Sequence, residues 1–151
     1  MTTAAPSVEV SHWRFPGWGW IWLSLGIGAA AAVIEAMAVQ RFATTKGRPE
    51  ALAAFVFILA SIFFAPVEEW LFRGVILRKL IRRTGPIAAA LVSSALFAFA
   101  HGWKLPWWAL RFAGGLVLGG VYLRSGSLWP SIALHFSHNA VLAAAITLLI
   151  R

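Results

Sequence analysis

The sequence contains no cysteine and few acidic residues, and each absence excludes a class of chemistry or of protein. Without a single Cys among its 151 residues, the chain can form no disulfide bond, no thiolate metal site and no cysteine nucleophile. Charged residues account for only 12% of the sequence, and five of them are acidic. Such a composition does not suit a water-soluble domain. An ionisable group inside an apolar stretch is therefore a candidate for function.

Apolar residues dominate the rest of the sequence. They make up 60% of it, and the mean hydropathy is +0.79. After a polar leader at residues 1–16 come five apolar segments: Gly17–Gln40, Ala51 to about Leu77, Pro86 to about Trp103, Trp107–Leu123 and Leu128–Ile150. Nearly uncharged stretches of about 18 residues or more can cross a bilayer as helices. We therefore predict an all-α protein, a polytopic transmembrane helical bundle of about five spans, with residues 17–151 as the membrane domain.

The formal net charge of +8 does not indicate a nucleic-acid-binding protein. The basic residues cluster at the ends of the apolar segments, where anionic headgroups and the preference of Lys and Arg for the cytoplasmic side account for them. No basic face with interleaved polar residues is present. We expect the lipid bilayer as a partner and no nucleic acid.

Two of the five acidic residues are adjacent, at Glu68 and Glu69 in the second apolar segment. Pro66, just before them, is expected to kink the helix. Because residues i and i+4 share a helix face, Glu69 is predicted to form an ion pair with Arg73. Glu68 then remains beside a second acid in a low-dielectric setting, where it can serve in proton transfer.

Further polar side chains interrupt the later segments. His101 ends the third segment's apolar run, and His135 shares a helix face with Asn139. From a predicted turn at residues 84–85, Glu68 and His101 lie about equally far along two antiparallel arms, roughly 22–24 Å at the helical rise of about 1.5 Å per residue. We therefore predict that separate spans bring carboxylates, imidazoles and an amide to one buried pocket.

Such a pocket has the groups that peptide hydrolysis needs. Glu68 together with His101 can hold a water molecule and remove its proton. His135 and Asn139 can donate hydrogen bonds to the oxygen that gains charge when water attacks a peptide carbonyl. The set can act without a covalent intermediate.

These residues also resemble the motifs of a known family. The CAAX protease and bacteriocin-processing family, also called the Abi family, includes the Ras-converting CAAX endopeptidase. Its three motifs are similar, in order, to Glu68-Glu69-x-x-x-Arg73, Phe97-x-x-x-His101 and His135-x-x-x-Asn139 of this chain. The resemblance extends over about residues 51–145, the motif-bearing core of the membrane domain.

The resemblance implies a glutamate-type intramembrane endopeptidase. In such an enzyme the first Glu and the middle His activate water, while the last His and the Asn stabilise the oxyanion. Carried over by position, the catalytic residues are Glu68, His101, His135 and Asn139, and the supporting residues are Glu69 and Arg73.

The resemblance also implies a substrate and a location. We expect a membrane-anchored or lipid-associated protein substrate that is cleaved near its C-terminus. The chain has fewer spans than family members usually carry, which indicates a short prokaryotic form in the cell's inner membrane and leaves any need for a prenylated substrate open. The zinc signature His-Glu-x-x-His is absent, so we predict a site without cofactor or metal. A zinc-dependent version of the same hydrolase is the alternative.

Two functions without proteolysis compete with this interpretation. A non-catalytic membrane scaffold or an immunity protein would use the same polar groups to join helices, but joining helices requires no unpaired second Glu beside potential oxyanion donors. Proton or cation transport along the Glu and His side chains is a further possibility, although no inverted repeat is visible. Glu35 in the first span is left without a role, and His138 is predicted to be a wall of the pocket.

Overall fold

The described part of the protein is built from helices. The computed structural model describes residues 13–42 and 51–149. Its elements are α1 Trp18–Phe42, α2 Ala51–Glu69, a π-helix Trp70–Leu77, α3 Arg78–Ala100, α4 Trp107–Ser125 and α5 Leu128–Leu149. No strand occurs in these ranges, so the predicted all-α bundle is confirmed. Most of the predicted leader, residues 1–12, lies outside the described residues.

Two helical stretches are long and apolar enough to cross a membrane by length and composition. Within the described ranges these are Trp18–Met37 and Phe63–Ala100. The second is 38 residues long, well beyond the roughly 20 residues that one crossing needs. It contains a bend at Gly85. The count of about five spans stays a prediction.

The bend at Gly85 makes an antiparallel hairpin from the long stretch. Gly85 has φ 78°, a left-handed conformation that glycine adopts without a steric penalty. On either side of it the arms meet: the rings of Phe72 and Phe97 lie 5.2 Å apart, and Ser93 Oγ donates to the carbonyl of Phe72 at 2.9 Å. The turn predicted at residues 84–85 is therefore confirmed.

One arm of the hairpin contains a π-helix that the sequence did not predict. Helix α2 continues through Pro66, and the backbone leaves α geometry only at Trp70, directly after the two glutamates. The kink expected at Pro66 stays a prediction. Short π-helical segments are often found at functional sites, because the extra residue per turn redirects side chains. Here the segment buries Arg73 against its neighbours.

Close helix contacts hold the other elements around this hairpin. Helix α4 approaches α3 at Gly115, where an added Cβ would lie 3.0 Å from Ser94 Cβ. Helix α1 approaches α5 at Gly28, where an added Cβ would clash with Leu134 O and Ser137 Oγ. Small residues allow helix backbones to approach in this way within membranes. The packing leaves a cavity between α1, the hairpin, α4 and α5.

Candidate active site

The cavity between the helices has a volume of about 500 Å³ and carries the polar residues singled out in the sequence. All four predicted catalytic residues line it, and they come from different parts of the chain. The polar and charged side chains that line it are Glu35, Glu68, His101, Arg111, His135, His138 and Asn139. The predicted convergence on one pocket is therefore observed in the structure.

Glu68 lies between two imidazole rings. Its Oε2 is 3.7 Å from His101 Nε2 and 3.6 Å from His135 Nε2. Both distances exceed those of direct hydrogen bonds and suit groups that share a bridging water. The Glu68 side chain is 27% exposed, so it is open to the cavity. The register of the hairpin explains the first contact, because Glu68 and His101 each lie four residues beyond the Phe72–Phe97 pair.

Glu69 is fully buried and has two partners. Its Oε1 accepts hydrogen bonds from Arg73 Nη1 at 3.0 Å and from His135 Nδ1 at 2.9 Å. The predicted ion pair with Arg73 is confirmed. The sequence analysis did not anticipate the second partner, His135. That contact joins residues far apart in the chain, and helical spacing carries no information about it.

Arg73 links Glu69 to helix α4. Its Nη2 donates to the carbonyl of Gly115 on α4 at 3.0 Å, and its guanidinium carbon lies 4.7 Å from the centre of the Phe97 ring. A cation over an aromatic face is stabilised by the ring's quadrupole. The side chain is 1% exposed, and a charge this deeply buried requires such a complete set of partners.

His101 lies at the end of α3, as its cap residue. Its Nδ1 is 2.8 Å from the carbonyl oxygen of Phe97. Because a carbonyl only accepts, Nδ1 carries the proton, and Nε2 is left to face Glu68. The Phe97 ring contacts both imidazoles: its centroid lies 4.5 Å from that of His101, with the rings tilted, and 5.8 Å from that of His135, in an edge contact. The third segment was expected to extend to about Trp103; it ends at Ala100, since Gly102 takes a φ of 116°.

Asn139 belongs to a second polar group that the sequence analysis missed. Its Oδ1 is 3.3 Å from His138 Nδ1, and His138 Nε2 is 3.0 Å from Glu35 Oε2. Arg111 Nη2 lies 3.6 Å from the other oxygen of Glu35. The one available signal was Glu35 itself, since an acid within an apolar span requires a partner. His138 does line the pocket, as predicted.

Among the side chains that the structure describes, no group of three or more His, Asp or Glu residues is placed to hold a metal ion. Operation of the site without metal stays a prediction.

Comparison with known proteins identifies the family. Residues 50–141 match the family model described as type II CAAX prenyl endopeptidase Rce1-like. Searches of curated proteins and of solved structures found no match. The matched range covers more than half of the chain and contains the hairpin, α4 and most of α5, and with them every predicted catalytic residue. The chain therefore belongs to the Rce1-like family of type II CAAX prenyl endopeptidases, which are integral membrane proteases.

Proposed function

We propose that the chain is a glutamate-type intramembrane endopeptidase in which Glu68 and His101 activate a water molecule for attack on a peptide bond. One observation carries the proposal: the Glu68 carboxylate faces two imidazole nitrogens at 3.6 and 3.7 Å. These groups lie at the wall of a cavity large enough for a peptide segment. Glu69 differs from Glu68 in this respect, because its Oε1 accepts direct hydrogen bonds from Arg73 and His135.

The water would be held between Glu68 and His101. Because His101 uses its Nδ1 proton on the carbonyl of Phe97, its neutral ring offers a lone pair at Nε2 toward the same space. The carboxylate takes a proton from the water as the water oxygen bonds to the peptide carbonyl carbon. The same proton then passes to the amide nitrogen as the C–N bond breaks. Atoms and charge balance without an acyl-enzyme.

The carbonyl oxygen gains negative charge during the attack and needs donors. The side-chain NH₂ of Asn139 is one, and Nε2 of His135 is a second when it is protonated. Both residues line the cavity beside Glu68. One such donor is worth about 10²–10³ in rate. Glu69 and Arg73 support this arrangement, since Glu69 fixes the ring of His135 through Nδ1 and Arg73 fixes Glu69.

The remaining wall of the cavity suits a substrate held in the membrane. It is formed by apolar side chains from four helices, namely Ile27, Ile34, Phe64, Leu110, Val117 and Leu134. An extended peptide that enters between helices would lay apolar side chains against this wall. We propose that the substrate is a membrane-anchored or lipid-associated protein cleaved near its C-terminus, and that the enzyme resides in a prokaryotic inner membrane and needs no metal.

The test compares membrane proteins from cells that produce the wild-type chain or Glu68→Gln in a host without the gene. New protein C-termini should appear with the wild type alone, because the variant lacks the base that activates water. They should also appear in membranes treated with a chelator. Identical C-termini in the two strains would overturn the proteolytic function. Chelator-sensitive cleavage with stoichiometric zinc in the purified protein would replace the metal-free mechanism with the zinc-dependent one.

A further inference from the structure

A second charged group lies on the cavity wall beside the proposed catalytic residues. It consists of Glu35 from α1, Arg111 from α4 and His138 from α5, here called the Glu35 cluster. The Glu35 side chain is 11% exposed, and its two oxygens face different partners, Arg111 and His138. Three helices thus contribute to a cluster for which the proposed mechanism has no use.

Each ring nitrogen of His138 faces a polar partner. Its Nε2 faces a Glu35 carboxylate oxygen at 3.0 Å, and its Nδ1 faces the Asn139 side-chain carbonyl oxygen at 3.3 Å. With the Asn139 oxygen on this side and Glu35 ionised, both partners are acceptors, and the ring donates to each of them. If the proton between His138 Nε2 and Glu35 Oε2 sits on Glu35 instead, Nε2 becomes the acceptor. Nδ1 still carries its own proton. In either arrangement Nδ1–H donates to Asn139 Oδ1.

This hydrogen bond determines the orientation of the Asn139 amide. An amide whose oxygen is held by His138 must turn its NH₂ group the other way. If Nδ1 lost its proton, the amide would gain by rotating so that its NH₂ donates to the ring. The side of the Asn139 amide that faces away from His138 would then present the carbonyl oxygen instead of the NH₂ donor. The two orientations occupy the same volume, so packing alone does not choose between them.

We propose that Glu35 and His138 are positioning residues that hold the Asn139 amide with its NH₂ directed at the substrate carbonyl oxygen. The inference rests on the proposed function, in which Asn139 stabilises the oxyanion. Arg111 belongs to the same device, because its guanidinium faces the second Glu35 oxygen and favours the carboxylate. The other titratable groups on this cavity are Glu68 of α2, His101 after α3 and His135 of α5.

The hydrogen-bond pattern predicts different results for two substitutions of Glu35. In Glu35→Gln, the amide oxygen can face Arg111 and the NH₂ group can donate to His138 Nε2, which leaves the proton on Nδ1. This variant should retain cleavage close to that of wild type. In Glu35→Leu, nothing fixes the His138 tautomer. Its kcat should fall by about tenfold, with KM little changed, against roughly a hundredfold for Asn139→Ala, which removes a whole donor.

A double-mutant cycle separates positioning from general damage to the fold. If Glu35 acts through Asn139, Glu35→Leu should cost nothing further in an Asn139→Ala background. A matched control is Ser137→Ala, which removes the hydrogen bond from Ser137 Oγ to Leu25 O between α5 and α1 and leaves the Glu35 cluster intact. Additive losses in the cycle, or an equal loss of kcat in Ser137→Ala, would overturn the proposal.

The tautomer can also be measured without any peptidase activity. In ¹⁵N spectra of the detergent-solubilised protein, His138 Nδ1 should be protonated in the wild type and in Glu35→Gln. An unprotonated Nδ1 in the wild type would overturn the positioning role even if cleavage were found. A protonated Nδ1 in a protein that cleaves no peptide would support the hydrogen-bond arrangement and refute the proposed proteolysis, so the two failures are distinguishable.

Discussion

Glu69 joins two parts of the site through one oxygen atom. Arg73 and His135 both donate to its Oε1, and Glu69 and Arg73 are almost completely buried. A buried charge that loses its partner has neither water nor a counter-charge to compensate it. The residue therefore matters both for folding and for the orientation of an imidazole at the site.

Replacement of Glu69 by Gln should consequently be costly although it hardly changes the side chain's shape. We expect the free energy of unfolding to fall by about 3–5 kcal/mol, because the Arg73 guanidinium remains buried without its counter-charge. Denaturation of the detergent-solubilised protein measures this. Glu9→Gln in the predicted leader is the matched control and should melt with the wild type. A Glu69→Gln variant as stable as that control would show that the ion pair contributes little.

At the scale of single residues, the sequence predicted contacts within one helix and missed contacts between helices. The Glu69–Arg73 pair and the Phe97–His101 ring contact both follow from a spacing of four residues, which places two side chains on one helix face. The Glu69–His135 and Glu35–His138 contacts depend on how two helices are rotated about their axes. Nothing in a single sequence specifies that rotation, so these partners emerged only from the structure.

At the scale of elements, the hairpin determines how far Glu68 and His101 lie from its turn. Its turn could be predicted because Gly85 supplies a left-handed φ and Pro86 suits the first turn of the following helix. Equal arm lengths then place Glu68 opposite His101. The π-helix between Trp70 and Leu77 could not be predicted, since its residues are compatible with an ordinary α-helix.

The packing of α3 against α4 can be tested with introduced cysteines, because the chain has none of its own. A Cβ at residue 115 would lie 3.0 Å from Ser94 Cβ, slightly under the separation of about 3.5–4.5 Å found in disulfides. The pair Ser94→Cys and Gly115→Cys should therefore cross-link on mild oxidation with a small helix shift. Protease cleavage in the α3–α4 loop followed by electrophoresis detects the bond.

The neighbouring pair Ser93→Cys and Gly115→Cys is the control for this cross-link. Ser93 faces Phe72 on the other hairpin arm, so its cysteine should point away from α4. Equal cross-linking of the two pairs would contradict the described rotation of α3.

At the scale of the whole molecule, α1 completes a site whose proposed catalytic residues all lie in the other helices. The family match begins at residue 50, after α1 has ended. Yet α1 packs on α5 through Gly28 and lines the cavity with Ile27, Ala31, Ile34 and Glu35. The first helix therefore closes one wall of the cavity and brings Glu35 to His138.

The overall architecture was accessible from the sequence because a bilayer leaves few options. Long uncharged stretches must be helical, since each backbone polar group needs an internal partner. The few polar residues inside those stretches must then face the protein interior. These two constraints predicted the bundle and the pocket. They do not determine which helices become neighbours, and the α1–α5 contact was for that reason not anticipated.

The rate of peptide cleavage by purified, reconstituted Glu68→Gln tests the central claim most directly. Relative to wild type and to the Glu9→Gln control, the variant should lose about 10²–10⁴ in kcat, the contribution of a general base. It should unfold at nearly the wild-type temperature, because Glu68 is partly exposed. Its carboxylate lies 3.6 and 3.7 Å from the two imidazoles, too far for a direct hydrogen bond to either. Cleavage by Glu68→Gln at the wild-type rate would contradict activation of water by this carboxylate.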